Sequence, residues 1–484
     1  MRLTTPLSAP TGASGDSPAE AGQVHPASVR DPCAFVFRRG GLLYRQVNES
    51  GRRDYEQLMR SGLYEKLTIA GDLVRHDETA NALSPDGRAF KVIQPEWIDF
   101  ISYPYEWCFS QLKDAALLTL RLQKLAMAHG MALKDATPYN VAFRGGRPVW
   151  IDTTSFSIAQ LDEPWVAYRQ FCEMLLAPLA LISMVDVRLL ELMRTNLDGI
   201  PLDLASRLLP ARSRLRAGLL MHIHLHAAAQ RPKKSGGAGK PSSRKLSKNA
   251  LAGLIDSLNT TVRRLEWHTP DTTWSNYYQQ TNYDAEAFVI KRDIVERWIE
   301  RIAPASVWDL GANDGTFSRL ASSRGIATVA FDVDPVAVEK NYLAHRNDSC
   351  MLPLRLDLTN PSSRHGWANA EREALSDRGP ADLALMLAVI HHLAIGHNVP
   401  LARVAAFLAQ VCRALVIEFV PKDDSQVQRM LSSRVDIFDE YTQEAFESVF
   451  SRWFVIEDVA RVGDSARSLY LMRARSGLPE ILTD

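Results

Sequence analysis

The sequence predicts an α/β protein of two parts, in which a C-terminal, doubly wound sheet of seven strands follows a mixed α+β N-terminal domain. Its length of 484 residues exceeds that of one ordinary domain. The stretch Ser306–Pro335 reads as a strand, a glycine-containing turn, a helix and a second strand. Strand-like and helical segments continue to alternate after it, and two final β-rich runs, Trp453–Val459 and Ser468–Arg473, predict a closing antiparallel hairpin.

The composition is that of a soluble globular protein with 46% apolar residues and a net charge of zero. A neutral chain gives no reason to expect nucleic acid as a partner. Five scattered cysteines, odd in number and without C-x-x-C spacing, predict reduced thiols, no metal site and a cytoplasmic location. The longest apolar run, Met174–Val185, is interrupted by Pro178 and is too short for a transmembrane segment, and no secretory signal precedes it.

Four regions follow from composition along the chain. Residues 1–30 are rich in Ser, Pro, Ala and Gly and predict a disordered tail. Residues 31–230 form the N-terminal domain, residues 231–249 a basic Gly/Ser/Pro linker, and residues 250–484 the C-terminal domain. The predicted elements of the N-terminal domain are a hairpin around Gly40 and Gly41 within Ala34–Val47, a helix over Arg52–Leu63, an extended Lys91–Ile101 and a long helix over Ser110–His129.

The loop after that long helix carries three polar residues at a distinctive spacing. Asp135 and Asn140 are five residues apart, and Asp152 follows a strand-like run twelve residues later. This pattern is similar to the catalytic loop of kinase-like phosphotransferases, which implies a nucleotide and Mg²⁺ site. No His precedes Asp135, no glycine-rich loop is present, and Arg45 is the nearest candidate for the β3 lysine of that fold. The alternative is that the Asp and Asn side chains cap local backbone.

In the C-terminal domain, the turn Gly311–Gly315 connects the first strand to a helix. Its glycines allow the backbone to approach a ligand closely, and its G-x-x-x-G spacing with Asn313 and an acid inside departs from the dinucleotide pattern G-x-G-x-x-G. Asp309 ends the first strand, and Asp332 ends the second, 23 residues later, where a carboxylate meets ribose hydroxyls in related sheets. The simpler interpretation is an ordinary strand–helix–strand crossover with two loop glycines.

These residues resemble motif I of class I methyltransferases, D-x-G-x-x-x-G. The resemblance implies a Rossmann-like seven-stranded sheet, S-adenosyl-L-methionine as cofactor, and Asp357, at the end of the third strand, beside the adenine amine. The expected cofactor-binding residues are therefore Asp309, Gly311, Asn313, Gly315, Asp332 and Asp357.

Catalytic candidates follow the predicted fourth strand, Asp382–Ile390. A hydroxyl acceptor must lose a proton, and histidine has a pKa near neutrality, so His391 and His392 are the candidate bases. The alternative is that one imidazole is buried against the sheet and the other is solvated. The aromatic-rich segment Trp267–Phe288 is either a lid over the substrate pocket or packing for the flanking helices.

Longer phrases resemble one family more specifically, the NoeA-like host-specificity nodulation proteins. They are ISYPYEW (Ile101–Trp107), LKDATPYN (Leu133–Asn140), DTTSF (Asp152–Phe156), WVAYRQFC (Trp165–Cys172), DGIPLDLA (Asp198–Ala205) and DLGANDGTFSR (Asp309–Arg319). The resemblance implies a cytoplasmic methyltransferase that acts on a small molecule or a glycolipid precursor in nodulation signalling. Two other functions stay open, namely a phosphotransferase in the N-terminal domain and a binding scaffold without catalysis.

Overall fold

The computed structural model describes residues 22–160, 163–230, 247–269, 285–432 and 434–476. The predicted linker therefore lies largely outside the described residues, and the domain boundary placed there stays a prediction. The predicted tail extends to residue 30, but residues 22–30 are ordered. Gln23 and Val24 pair with Arg38 and Phe37 on the edge of a sheet, so their backbone groups gain partners that composition alone does not reveal.

An antiparallel sheet of five strands begins the described chain. The hairpin prediction is confirmed: Gly40 and Gly41 connect two paired strands, both with positive φ (56° and 75°), as a two-residue turn of this hand requires. Two helices, α1 (Arg52–Arg60) and α2 (Leu63–Ile69), lie between the third and fourth strands. The spatial order is β1-β2-β3-β5-β4, with β1 (Gln23–Val24), β2 (Ala34–Arg39), β3 (Leu42–Asn48), β4 (His76–Thr79) and β5 (Ala89–Pro95).

A helical region follows this sheet, beginning with the long helix that the sequence predicts, α3 (Phe109–Ala128). Two short antiparallel pairs come next, in which β6 (Met131–Leu133) pairs with β9 (Phe156–Ile158), and β7 (Val141–Arg144) with β8 (Arg147–Trp150). The further helices are α4 (Tyr168–Phe171), α5 (Ala177–Met184), α6 (Leu192–Thr195), α7 (Leu202–Leu208), α8 (Ala217–Leu219), α9 (His226–Gln230) and α10 (Lys248–Arg263), with π-helical turns at Cys172–Leu176 and Leu220–Leu225.

The C-terminal sheet confirms the predicted seven strands. Its order is β12-β11-β10-β13-β14-β16-β15, in which five parallel strands are followed by an antiparallel hairpin. The fourth strand ends at Met386 rather than Ile390, because Ala388 has positive φ (56°) and the chain turns there. The strands are β10 (Ser306–Leu310), β11 (Ala327–Asp332), β12 (Met351–Arg355), β13 (Ala381–Met386), β14 (Cys412–Phe419), β15 (Phe454–Arg461) and β16 (Ser468–Ala474).

The two faces of this sheet pack against different partners, since successive side chains of a strand point to opposite faces. Val307 and Leu385 belong to a core with the helix α11 (Ala285–Ile302). Trp308 and Met386, one position further along, belong to a core that runs without a break into the N-terminal half. The remaining helices are α12 (Ser318–Ser322), α13 (Pro335–Ala344), α14 (Leu401–Val411), α15 (Ser425–Leu431) and α16 (Gln443–Phe450).

Aromatic and polar contacts join the two halves of the chain. The ring of Phe100 packs edge-on against Trp308 and Phe331, with centroids 5.5 and 5.9 Å away. Gln111 in α3 donates a buried hydrogen bond of 2.9 Å to the carbonyl of Pro353 in β12. The N-terminal half thus covers one face of the C-terminal sheet and shares its hydrophobic core.

Candidate functional site

A cavity of about 300 Å³ opens at the carboxyl ends of β10 to β13. Ligands bind at this edge in open parallel sheets, and the volume lies at the lower end of the range for small-molecule sites. Five of the six residues predicted to hold a cofactor line it, and one of the two predicted catalytic histidines does. The lining residues are Phe288, Lys291, Asp309, Gly311, Ala312, Asn313, Phe317, Phe331, Asp332, Val333, Leu356, Asp357, Leu358, Thr359, Leu387, Ala388, Val389, His392, Leu393 and His397.

The two glycines of the turn after β10, Gly311 and Gly315, have different structural roles. Gly311 has φ of +101°, and a Cβ there would lie 2.3 Å from the side chain of Val389, which lines the cavity beside it. Gly315, with φ of +84°, does not line the cavity, because it packs on α13, where a Cβ would lie 2.5 Å from the amide of Asn341. Gly315 therefore allows the turn to approach the helix, and Gly311 keeps backbone at the cavity wall.

Asp332, at the end of β11, holds the turn in place. Its carboxylate accepts hydrogen bonds from the backbone N–H groups of Asn313 (2.7 Å) and Asp334 (2.8 Å). Burial raises the pKa of Asp332 to about 6 in spite of these bonds. The Asn313 backbone has positive φ (51°), a conformation that asparagine tolerates better than most residues. Asn313 and Asp332, which the sequence predicts as cofactor-binding residues, therefore contact each other through the backbone N–H of Asn313 and the side chain of Asp332.

Asp309 is the most deeply buried carboxylate of the cavity, with 1% of its surface exposed. It accepts a hydrogen bond of 2.7 Å from the hydroxyl of Ser318. Burial, together with the nearby Asp332 charge, raises the pKa of Asp309 to about 7. Asp357 is exposed by comparison, and its Oδ1 accepts bonds from the N–H and hydroxyl of Thr359. Three carboxylates from three consecutive parallel strands therefore face one space.

The adjacent histidines occupy different environments. His392 lines the cavity, whereas His391 is 2% exposed, does not line it, and its Nδ1 has no hydrogen-bond partner among the described residues. Burial lowers the pKa of His392 to about 4 and that of His391 well below its usual range. Both imidazoles are therefore neutral at pH 7, and only His392 lies where it can contact a ligand.

Sequence reasoning missed Lys291, a cavity residue on α11. Its Nζ lies 2.6 Å from Glu418, and both side chains are at most 5% exposed. Arg467 lies 3.6 Å from Glu418 and pairs with Asp424 as well, which makes a buried network of alternating charge behind the cavity. A lysine on the same helical face as the apolar Val295 and Trp298 is the signal that could have revealed it.

Replacing Lys291 with methionine is expected to lower the free energy of unfolding by roughly 3–5 kcal/mol, because it removes the nearest cation from a buried carboxylate. The measurement is the midpoint of the guanidinium unfolding transition. Lys124→Met is the matched control: Lys124 pairs with Asp256 on the surface, where the two side chains are 65% and 55% exposed, and its loss should cost less than about 1 kcal/mol. Equal midpoints for the two variants would show that the buried Lys291–Glu418 pair stabilises the fold no more than a surface pair does.

Aromatic side chains line the side of the cavity near α11. The rings of Phe288 and Phe317 contact each other edge-on, with centroids 5.7 Å apart. The predicted lid segment Trp267–Phe288 lies mostly outside the described residues, so the choice between a lid and packing stays open.

The kinase-like loop places its three polar residues close together in the N-terminal half. Asp135 accepts bonds from the N–H of Thr137 and the amide of Gln170, and the Asp152 charge contributes to a raised pKa that is caused mainly by burial. Asp152 forms an ion pair with Arg45 of β3 and caps the backbone N–H of Thr154. A guanidinium therefore stands beside the carboxylate to which the resemblance assigns a metal ion.

The described residues contain no cluster of three or more His, Cys, Asp or Glu side chains arranged to hold a metal ion. All five cysteines are thiols without a disulfide. Within the same residues, no helix combines the length and apolarity that crossing a membrane requires.

Comparison with known proteins adds one close relative. The nodulation protein NoeA of Rhizobium meliloti (strain 1021) is 36% identical over 451 residues, which span 92% of this chain and 94% of that protein. No protein-family model matches the sequence. Among solved structures, the N-methyltransferase NodS from Bradyrhizobium japonicum WM9 aligns over 40% of this chain and 99% of its own at 12% identity and a TM-score of 0.29. The bifunctional kinase-methyltransferase WbdD aligns over 40% of both chains at 19% identity and a TM-score of 0.27.

Proposed function

The chain belongs to the family of the nodulation protein NoeA, and from this membership and its cavity we propose that it is an S-adenosylmethionine-dependent methyltransferase. The observation that carries the proposal is the meeting of Asp309, Asp332 and Asp357 in one cavity at the carboxyl ends of three parallel strands. The strand order supports it, because the resemblance in motif I implies this Rossmann-like sheet with a closing hairpin.

The chemistry of the cavity fits this cofactor and disfavours a dinucleotide. Three carboxylates repel a pyrophosphate but attract a ligand that carries an ammonium and a sulfonium group. We assign Asp332 to the ribose hydroxyls, Asp309 to the ammonium group, and Asp357 to the adenine amine. The missing side chain at Gly311 makes room for Val389, which lines the cavity beside them.

When bound, S-adenosylmethionine supplies an activated methyl group, and the protein's main contribution is to align the acceptor with it. The apolar side chains of Phe288, Phe317 and Leu387 line one side of the cavity. His392 holds a neutral imidazole that can take a proton from a hydroxyl acceptor, although a pKa of about 4 makes it a weak base. We assign the proton-accepting role to His392 and a packing role to His391.

The acceptor that we propose is a small molecule or a glycolipid precursor in nodulation signalling, which rests on membership of the NoeA family. Incubating the enzyme with methyl-labelled cofactor and separated lipid and aqueous extracts of the source cells tests it. Label in the lipid fraction supports a glycolipid, and label in the aqueous fraction supports a soluble acceptor. Label in neither fraction would favour the alternative of a scaffold without catalysis.

Calorimetry with S-adenosylmethionine and with NAD⁺ tests the cofactor assignment. We expect micromolar binding of S-adenosylmethionine and at least about a hundredfold weaker binding of NAD⁺, since its pyrophosphate would face the three carboxylates. Tighter binding of NAD⁺ would contradict the proposal.

Binding of the cofactor is expected to depend on pH. In the unliganded protein the pKa values of Asp309 and Asp332 are raised to about 7 and about 6. A cationic ligand favours their ionised forms, so its binding releases protons, and affinity is highest above the higher pKa and falls as pH drops through both values. From about pH 7.5 to about pH 5.5 the dissociation constant should rise at least about tenfold. Titrations at about pH 6.5 in buffers of different ionisation enthalpy measure the released protons, and a pH-independent affinity would contradict the assignment.

A phosphotransferase in the N-terminal half is the second candidate, and the topology favours it. A helix pair between β3 and β4, the pairings β6–β9 and β7–β8, and the proximity of Asp135 to Asp152 follow the order of a kinase-like fold. The ion pair of Asp152 with Arg45 stands against it. Mg²⁺-dependent ATP binding that is lost in Asp152→Asn would support this activity, and the absence of such binding in the wild type would remove it.

A further inference from the structure

The connection between β12 and β13 links the cavity to the N-terminal half. It spans residues 356–380, and its first residues, Leu356 to Thr359, line the cavity. Parallel strands are usually joined through a helix that packs on the sheet. Residues 356–380, all of which the structure describes, contain no α-helix; they form the 3₁₀ turns Trp367–Asn369 and Ser376–Arg378 and an antiparallel bridge between His365 and Arg372. Contacts within the connection, such as the ion pair of Arg364 with Asp377, hold part of this conformation, and contacts from the N-terminal half hold the rest.

One carboxylate of the N-terminal half contacts this connection near both of its ends. Glu106 receives a bidentate ion pair from Arg378, and its Oε1 also accepts a hydrogen bond from the hydroxyl of Ser362. The side chains of Glu106 and Arg378 are 2% and 3% exposed. The backbone N–H of Tyr103 donates to the second carboxylate oxygen (2.9 Å), so both oxygens of this buried charge are fully used.

Aromatic rings fix the guanidinium on the other side of the pair. Arg378 lies over the rings of Phe100 and Tyr103, 4.7 and 4.9 Å from their centroids, and donates to the carbonyl of Ile101. Phe100 in turn packs against Phe331, a lining residue of the cavity. This cluster of Glu106, Arg378 and Ser362, the Glu106 anchor, is thus in continuous contact with the cavity wall through Phe100.

A second, smaller cavity of about 30 Å³ lies between the Glu106 anchor and Asp357, the residue assigned to the adenine amine. Glu106, Ser362 and Asp357 all line it. A displacement of Glu106 would therefore shift Ser362, to which it is hydrogen-bonded, and with it Asp357, which lies a few residues earlier in the chain.

We propose that Glu106 is a positioning residue, which holds the segment 357–378 so that the Asp357 carboxylate meets the exocyclic amine of the adenine ring. The proposal rests on the proposed function, and it places a determinant of cofactor specificity outside the Rossmann-like sheet. A well-placed carboxylate accepts a hydrogen bond from an amine and repels an oxo group at the same position. Discrimination between adenine and hypoxanthine consequently depends on the Glu106 anchor.

The test compares the affinities of S-adenosylhomocysteine and S-inosylhomocysteine by calorimetry. The wild type should prefer the adenine compound by at least about tenfold, and Glu106→Gln should reduce this ratio to below about threefold. Glu339→Gln is the matched control. Glu339 is a second buried carboxylate between the halves, accepting bonds from the N–H and hydroxyl of Ser110, but it lies on α13 away from the connection, so its substitution should leave the ratio unchanged.

The outcomes separate the two proposals. Failure of the wild type to bind either compound overturns the proposed function. Wild-type binding without preference, an unchanged ratio in Glu106→Gln, or an equal loss in Glu339→Gln overturns the role of Glu106. If Glu106→Gln does not fold, Ser362→Ala removes only one contact of the anchor and should lower the ratio in the same direction, and an unchanged ratio there overturns the role as well.

Discussion

Replacing Asp332 with alanine is expected to weaken the binding of S-adenosylmethionine at least about tenfold, equivalent to a loss of about 1.4 kcal/mol or more. The substitution removes the group assigned to the ribose hydroxyls and also the acceptor for the backbone N–H groups of Asn313 and Asp334. The turn that forms the cavity wall then loses its support. Calorimetric titration of both proteins under one set of conditions measures the effect.

Asp382→Ala is the matched control for this experiment. Asp382 caps backbone N–H groups as well, those of Ala305 and Ser306, but at the amino end of the parallel strands, away from the cavity. It should destabilise the fold to a similar degree without changing the dissociation constant. Equal losses of affinity in the two variants would indicate that general destabilisation, rather than a contact to the ligand, explains the effect of Asp332.

Expression of residues 247–484 alone is expected to give little or no soluble protein. One face of the C-terminal sheet, which includes Trp308 and Phe331, belongs to the core shared with the N-terminal half. Each such side chain contributes about 1.5–3 kcal/mol when buried, and several of them together equal the about 5–15 kcal/mol that stabilises a whole domain. An uncovered sheet face of this kind also favours aggregation.

Co-expression with residues 1–246 is the control for this prediction, because it supplies the missing cover in trans and should restore solubility and cofactor binding. Size-exclusion chromatography and calorimetry of the soluble fraction measure both. A soluble, monomeric fragment that binds S-adenosylmethionine without the N-terminal half would show that the two halves are independent domains.

The C-terminal sheet could be predicted because its signals are local. Each parallel strand is a short apolar run, and Asp309, Asp332 and Asp357 mark the ends of three of them, so their meeting at one edge follows from the topology alone. The sequence could not predict which of the neighbours His391 and His392 lines the cavity, since the conformation of the turn after β13 decides which ring faces it.

The contacts between the halves could not be predicted from patterns of this kind. Glu106 and Arg378 are 272 residues apart, and Arg45 and Asp152 are 107 apart. A single sequence places no constraint on pairs so distant, and a composition shift near residue 240 suggests separation where the structure has one core. The pairing of Lys291 with Glu418 could not be predicted for the same reason, because the two residues lie 127 positions apart in the chain.

The shared core also has a consequence for the order of synthesis. The surface that Phe100 and α3 offer to the sheet leaves the ribosome before any strand from β10 onward exists. At about 5–20 residues per second, the 356 residues that follow α3 in the sequence take roughly 20–70 s to appear. During that interval the apolar surface of the N-terminal half is uncovered. We therefore expect the nascent chain to depend on chaperones until the C-terminal sheet has been synthesised and packs on this surface.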